Sequence, residues 1–217
     1  MFIMLTLFRR MGIQERKERE KEALRQRIIA AATDLFQQEG YDKVSMRKIA
    51  KKIEYSVGTL YLYYEDKDEL FLAVQEAAFG KAFIYIQQVG DSDDPMELLE
   101  RLGERYLRFG VENPGLYRLM FMSDQPMKAL SEEDDWRAGI RLHQLLSNLV
   151  ERCIKEGKLP AVDADKMSFI LWSTVHGMVS LQISSRLSIY SGCNIAGVPE
   201  VEDSEAWMHD AHKLVLD

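Results

Sequence analysis

Apolar residues recur at intervals of three and four along most of the 217-residue chain, and stretches that alternate every second residue are almost absent. That period marks helices with one buried face, not half-buried strands. The first helix is expected from about Glu15 to Gln38. Leu24, Ile28, Ala31 and Leu35 form one stripe along it, and Gly40 is the left-handed residue that ends it. Two short helices follow, Met46 to about Ile53 and Val57 to about Tyr63. Each stands behind a serine, Ser45 or Ser56, that can cap it. A fourth opens after Asp66, with Glu69 three residues on in the spacing of a capping box, and continues to about Gln88.

All five prolines lie beyond residue 94, each where a helical pattern stops or starts. Proline is favoured at the first helical position and excluded from helix interiors, so Asp94-Pro95 and Asn113-Pro114 read as a cap followed by a first turn. Further helices are expected at Pro95–Glu112, Pro114–Met122, about Glu132–Glu156, about Ala164–Ser188 and about Glu205–Leu216. Loops are expected at Met122–Ser131 and Ser191–Asp203. The fold class is all-α, with about nine helices. The chain divides into an N-terminal arm (1–20), a three-helix domain (21–70) and a larger helical domain (71–217). Gly90-Asp91-Ser92-Asp93-Asp94 is a polar loop that offers a second place for a domain boundary.

The stretch from Val44 to Leu70 holds two helices of about two turns, separated by three residues, which is the layout of a helix-turn-helix. Ile49, Ala50, Ile53, Leu60 and Tyr64 supply its inner face. Val57, Gly58, Tyr61 and Leu62 form a second face on the later helix, small and almost uncharged, suited to a groove floor. Val57, Gly58, Thr59 and Leu62 are expected to face bases. Contacts to phosphate are expected from Ser45 and Ser56 at helix N-termini, from Arg47, Lys48, Lys51 and Lys52, from the Tyr61 hydroxyl and from Lys67. Tyr63 is counted with the DNA-facing set. The expected partner is double-stranded DNA.

Charge first argues against this reading and then for it. The chain carries 28 Lys+Arg against 35 Asp+Glu, a net charge of −7. Residues 1–64 hold 13 basic and 8 acidic residues, net +5, and the rest hold 15 and 27, net −12. The positive end coincides with the helix-turn-helix, where release of counterions from DNA would operate.

Two cysteines, Cys153 and Cys193, cannot build a disulfide framework, so a reducing cytoplasm is the default. Cys153 reads as packing. No apolar run is long enough for a transmembrane helix, and no membrane partner is expected. The apolar run Met1–Phe8 is followed, not preceded, by Arg9-Arg10, unlike a signal peptide. It reads as a short extension ahead of a start at Met11, with a membrane or partner contact as the alternative. No catalytic constellation and no cofactor motif is present. His209 and His212, at i and i+3, leave a metal-responsive regulator open as an alternative, although a metal site needs further ligands. An enzyme on an all-α scaffold is the other alternative.

The residues at 28–50 (I-I-A-A-A-T-D-L-F-Q-Q-E-G-Y-D-K-V-S-M-R-K-I-A) and 56–70 (S-V-G-T-L-Y-L-Y-Y-E-D-K-D-E-L) resemble the DNA-binding domain of the tetracycline-repressor (TetR) family of transcriptional regulators. Two departures stand out. Glu54-Tyr55 occupies the turn where the family commonly has glycine and a small apolar residue, and Leu62 replaces a polar or aromatic one. Asn113–Phe121 and Trp172-Ser173-Thr174-Val175-His176-Gly177 are similar to the group whose C-terminal domain carries a tryptophan and a His-Gly pair on one long helix. The resemblance implies a homodimer joined by the last long helices, a pseudo-palindromic operator, and repression relieved by a small-molecule effector. It also implies an effector pocket, for which Tyr106, Phe109, Tyr117, Met120, Phe121, Trp136, Phe169, Trp172 and His176 are the candidates.

Overall fold

The computed structural model describes residues 2–123 and 137–186, with side chains described from residue 14 onward except Ala138. These residues form eight helices and no strand. They are α1 (Phe2–Glu39), α2 (Met46–Lys52), α3 (Val57–Tyr61), α4 (Lys67–Ile86), α5 (Pro95–Glu112), α6 (Pro114–Phe121), α7 (Arg137–Lys155) and α8 (Ala164–Ile183). Expectations for Glu132–Trp136, for the loops at 124–131 and 191–203, for the helix at Glu205–Leu216, and for Cys193, His209 and His212 lie outside the described residues.

α1 starts at Phe2, not near Glu15. No proline interrupts residues 2–39 and Gly12 is the single glycine among them, so nothing in the sequence breaks the helix early. Gly40 ends it at φ +80°. α3 ends at Tyr61, two residues earlier than expected, with Leu62 as its C-cap.

The described residues divide into two compact units, one taking residues 2–77 and Ser123 and the other residues 78–122 together with 137–186. In the first, Ile28, Ala32 and Phe36 of α1 are buried with Ile49 and Ala50 of α2, Leu60 of α3, and Leu70, Phe71 and Val74 of α4. The rings of Phe36, Tyr41 and Phe71 close one edge of this core, with centroids 5.0 to 5.7 Å apart. In the second unit α5 packs on α7 and α8. Its larger core gathers Phe79, Ala82, Leu102, Leu107, Phe109, Tyr117, Met120, Val175 and Val179. A smaller one joins Leu99, Val150, Cys153 and Leu171. Cys153 is a fully buried packing residue, and burial pushes its thiol pKa up. α5 and α8 come so close at Gly110 that a Cβ there would collide with the Val179 methyls.

Candidate functional site

The turn between α2 and α3, where Glu54 stands in place of the family's usual glycine, carries backbone strain. Glu54 sits at φ +62°, the left-handed region that glycine occupies without penalty. The Glu54 N–H donates to the Lys51 carbonyl at 3.2 Å and the Tyr55 N–H to the Ala50 carbonyl at 3.0 Å. These two bonds form a Schellman motif, which satisfies the end of α2 and aims the chain into α3. The guanidinium of Arg27 braces the same turn, donating to the Ile53 carbonyl at 3.3 Å and lying over the Tyr55 ring.

Both serines cap their helices. The Ser45 Oγ accepts from the Lys48 N–H at 3.3 Å, and the Ser56 Oγ accepts from the Thr59 N–H at 3.1 Å. Ahead of α4, the Asp66 carboxylate accepts from the Glu69 N–H at 2.8 Å, while the Glu69 carboxylate accepts from the Glu65 N–H. The reciprocal bond thus lands one residue earlier than in the standard capping box.

The exposed surface of α3 is the one the spacing predicts. Leu60 and Tyr64 are buried, whereas Tyr61 is 53% and Leu62 81% exposed. Gly58 is exposed beside half-buried Val57, Thr59 and Tyr63. An almost fully exposed leucine next to an exposed tyrosine has no role in the core of this unit.

The four cations of α2 separate into two pairs, which the sequence does not reveal. Lys48 is ion-paired with Glu39, and Lys52 with Asp34 at 3.1 Å. Arg47 and Lys51, one turn apart on the same exposed strip, have no carboxylate partner among the described residues. Lys67 donates to the Tyr41 carbonyl at 3.1 Å and keeps two of its three N–H donors.

The second unit holds a cavity of about 280 Å³ between the last turns of α4 and helices α5 to α8. Tyr106, Phe121 and Trp172 line it, as do Phe79, Leu99, Leu102, Leu142, Leu146 and Leu171. No Asp, Glu, Lys or Arg is among the described residues that line it. Of the other sequence candidates, Phe109, Tyr117 and Met120 are buried in the adjoining core, Phe169 is 62% exposed on α8, and Trp136 lies outside the described residues. The leucines of α5 and α7 escaped the sequence reading because a cavity-lining leucine shows the same helical spacing as a packed one.

Beside the cavity runs a chain of polar contacts. The Trp172 Nε1–H donates to the Tyr106 hydroxyl at 3.2 Å. The hydroxyls of Tyr106 and Tyr117 are 2.9 Å apart, and that of Tyr117 is 2.7 Å from the His176 Nδ1. Aromatic rings surround His176, with Tyr117, Phe121 and Trp172 at 5.0 to 5.6 Å between centroids. Burial pushes the Tyr106 pKa up to about 12 and raises that of Tyr117 further. It lowers that of His176, because water is replaced by rings that cannot solvate an imidazolium.

No group of three or more His, Cys, Asp or Glu side chains able to hold a metal occurs among the described residues. No described helix is long and apolar enough to cross a membrane.

An all-α chain with a capped helix-turn-helix in one unit and a helical cavity in the other defines a class, and comparison with known proteins names it. Residues 28–74 match the family described as bacterial regulatory proteins, tetR family. Residues 99–192 match the tetracyclin repressor-like C-terminal domain. Together these matches take up well over half of the chain, which belongs to the TetR family. An HTH-type transcriptional regulator of Staphylococcus aureus (strain USA300) is 31% identical over 93 residues, 42% of this chain and 50% of that protein. The chain thus spans about half the length of the curated relatives it matches. Among solved structures, the TetR family transcriptional regulator PfmR from Thermus thermophilus has a TM-score of 0.63 at 21% identity, over 87% of this chain and 96% of that one. A protein of unknown function from Rhodococcus sp. RHA1 has a TM-score of 0.69 at 19% identity, over 87% and 93%. At these identities the structural likeness is one of fold.

Proposed function

We propose that the protein is a DNA-binding transcriptional repressor that acts as a homodimer on a pseudo-palindromic operator and is released by a small, mostly apolar effector. The observation that carries the DNA reading is the exposed Gly58–Tyr61–Leu62 face of α3, flanked by Arg47 and Lys51, the two cations of α2 without a described carboxylate partner. α3 enters the major groove, with Val57, Gly58, Thr59 and Leu62 toward the bases. An apolar side chain such as Leu62 suits contact with a thymine methyl. Ser45, Ser56, Arg47, Lys48, Tyr61 and Lys67 hold phosphates and set register, with Tyr63 beside them. Lys48 must exchange Glu39 for phosphate to do so, so its contribution is smaller than that of Arg47.

Dimerisation is supported by apolar side chains exposed on the last two described helices: Ile140 on α7 and Phe169 and Ile170 on α8. The effector reading is supported by the cavity, whose described lining holds no Asp, Glu, Lys or Arg. Linkage requires the effector to bind the DNA-free form more tightly, by the same factor by which it weakens operator binding.

A mobility-shift titration with the gene's own upstream region, competed by unrelated DNA, tests the proposal. A shift that resists the competitor and is reversed by an apolar effector is expected. Equal binding to upstream and unrelated DNA would rule out an operator there.

A further inference from the structure

The cavity has few polar atoms to offer a ligand, and the contacts behind it determine how they are used. Among the described residues that line it, only Tyr106, Trp172 and His143 carry a polar side-chain atom. His143 is exposed on α7, its Nε2 3.9 Å from an Asp165 carboxylate oxygen, and so belongs to the rim. Trp172 has a single N–H, and that is committed to Tyr106. Among the described residues, the Tyr106 hydroxyl is therefore the one side-chain polar group left for a ligand inside the cavity.

The direction of its proton follows from the chain of contacts. Tyr117 and His176 are 2.7 Å apart, so a proton lies between them. A phenol is the better acid and an imidazole nitrogen the better base, so Tyr117 donates and the His176 Nδ1 accepts. The lowered pKa of His176 keeps the ring neutral, and a neutral ring that accepts at Nδ1 carries its single proton on Nε2. Tyr106 and Tyr117 are 2.9 Å apart and also need a proton between them. Tyr117 has spent its own, so Tyr106 supplies it. Every proton in the run Trp172–Tyr106–Tyr117–His176 then points away from the cavity, and only a lone pair of the Tyr106 oxygen is left to face it.

We infer that the cavity selects an uncharged, largely hydrocarbon ligand bearing one hydroxyl, which donates to the Tyr106 oxygen, and that His176 sets this preference from behind as a positioning residue. The inference rests on the reading of the cavity as the effector site and specifies which effectors it takes. A carbonyl or ether of the same shape brings a second lone pair against the first and is disfavoured. A charged ligand finds no carboxylate, lysine or arginine among the described lining side chains.

The test is calorimetric titration of the full chain with three molecules of one skeleton: 1-tetralol, 1-tetralone and tetralin. The hydroxyl compound should bind about ten-fold more tightly than the ketone, the worth of one hydrogen bond at the upper end of its range. In Tyr106→Phe all three should still bind and the ratio should fall to about one. In His176→Phe the rings are retained but the acceptor is lost. Tyr117 then donates to Tyr106, the Tyr106 proton turns into the cavity, and the preference should invert toward the ketone. His176→Asn, whose side-chain oxygen replaces the Nδ1 as acceptor, should restore the preference for the alcohol. A purely structural role for His176 moves none of these ratios. Equal binding of tetralol and tetralone by the parent protein overturns the inference while leaving the cavity a ligand site, and so does an unchanged ratio in His176→Phe. Failure of all three molecules to bind removes the effector reading itself, and the inference with it.

Discussion

Lys67 lies 3.8 Å from the centre of the Tyr41 ring and donates to the carbonyl oxygen of the same residue. One side chain thereby ties the start of α4 to the turn after α1, while the rest of its ammonium stays available to phosphate. Lys67→Ala should weaken binding to every DNA sequence by a similar factor and lower the salt slope by about one. Losing the ring contact should cost roughly 0.5–1 kcal/mol in stability. Anisotropy titrations on operator and unrelated DNA check the first effect, and urea unfolding the second. A loss confined to the operator would mean that Lys67 does not serve phosphate.

Glu54→Gly relieves the left-handed backbone in the turn between α2 and α3. The relief is about 1–2 kcal/mol and the added freedom of the unfolded chain takes back about 0.5–1. A gain of up to about 1.5 kcal/mol in urea unfolding is expected, with operator affinity unchanged because no bond of the Schellman motif involves the Glu54 side chain.

Much of this architecture can be read in the sequence, because the features that specify it are local. Ser45 and Ser56 cap as expected, Gly40 ends α1, and Ile49, Ala50, Ile53, Leu60 and Tyr64 form the inner face of the helix-turn-helix. What escaped depends on which elements meet. Lys48 and Lys52 look no different in sequence from Arg47 and Lys51 until α1 brings Glu39 and Asp34 to them. Phe169 and Trp172 share α8 and both reach solvent, yet Trp172 also lines the cavity while Phe169 does not, and only the positions of α5, α6 and α7 decide between them.

Gly110→Ala should destabilise the second unit by about 1–3 kcal/mol, although alanine is the better helix former. The new methyl would meet Val179 and lie 3.2 Å from the Tyr117 ring. Thermal melting checks this. Gly110→Ala with Val179→Ala should recover part of the loss, since the smaller side chain makes room.

The depressed pKa of His176 has a definite sign in stability. Below about pH 6.5 the unfolded chain takes up a proton that the folded state resists, so the contribution of His176 is present above that pH and is lost as pH falls toward the folded value. The groups facing the imidazole from α5 and α6 are the neutral Tyr106, Tyr117 and Phe121, none of which offsets the charge. Urea midpoints between pH 7.5 and 5.5 should fall more for the parent protein than for His176→Phe. Equal falls would mean that this histidine titrates normally.

DNA binding through α2 and α3 is tested most directly by operator affinity across a KCl series for the parent protein and the double variant Arg47→Ala/Lys51→Ala. Both side chains are exposed and without a carboxylate partner among the described residues, so stability should change by less than about 0.5 kcal/mol. The slope of log affinity against log salt should become shallower by about two, with binding weakened on all sequences. An unchanged slope and affinity in the folded double variant would contradict the proposed interface.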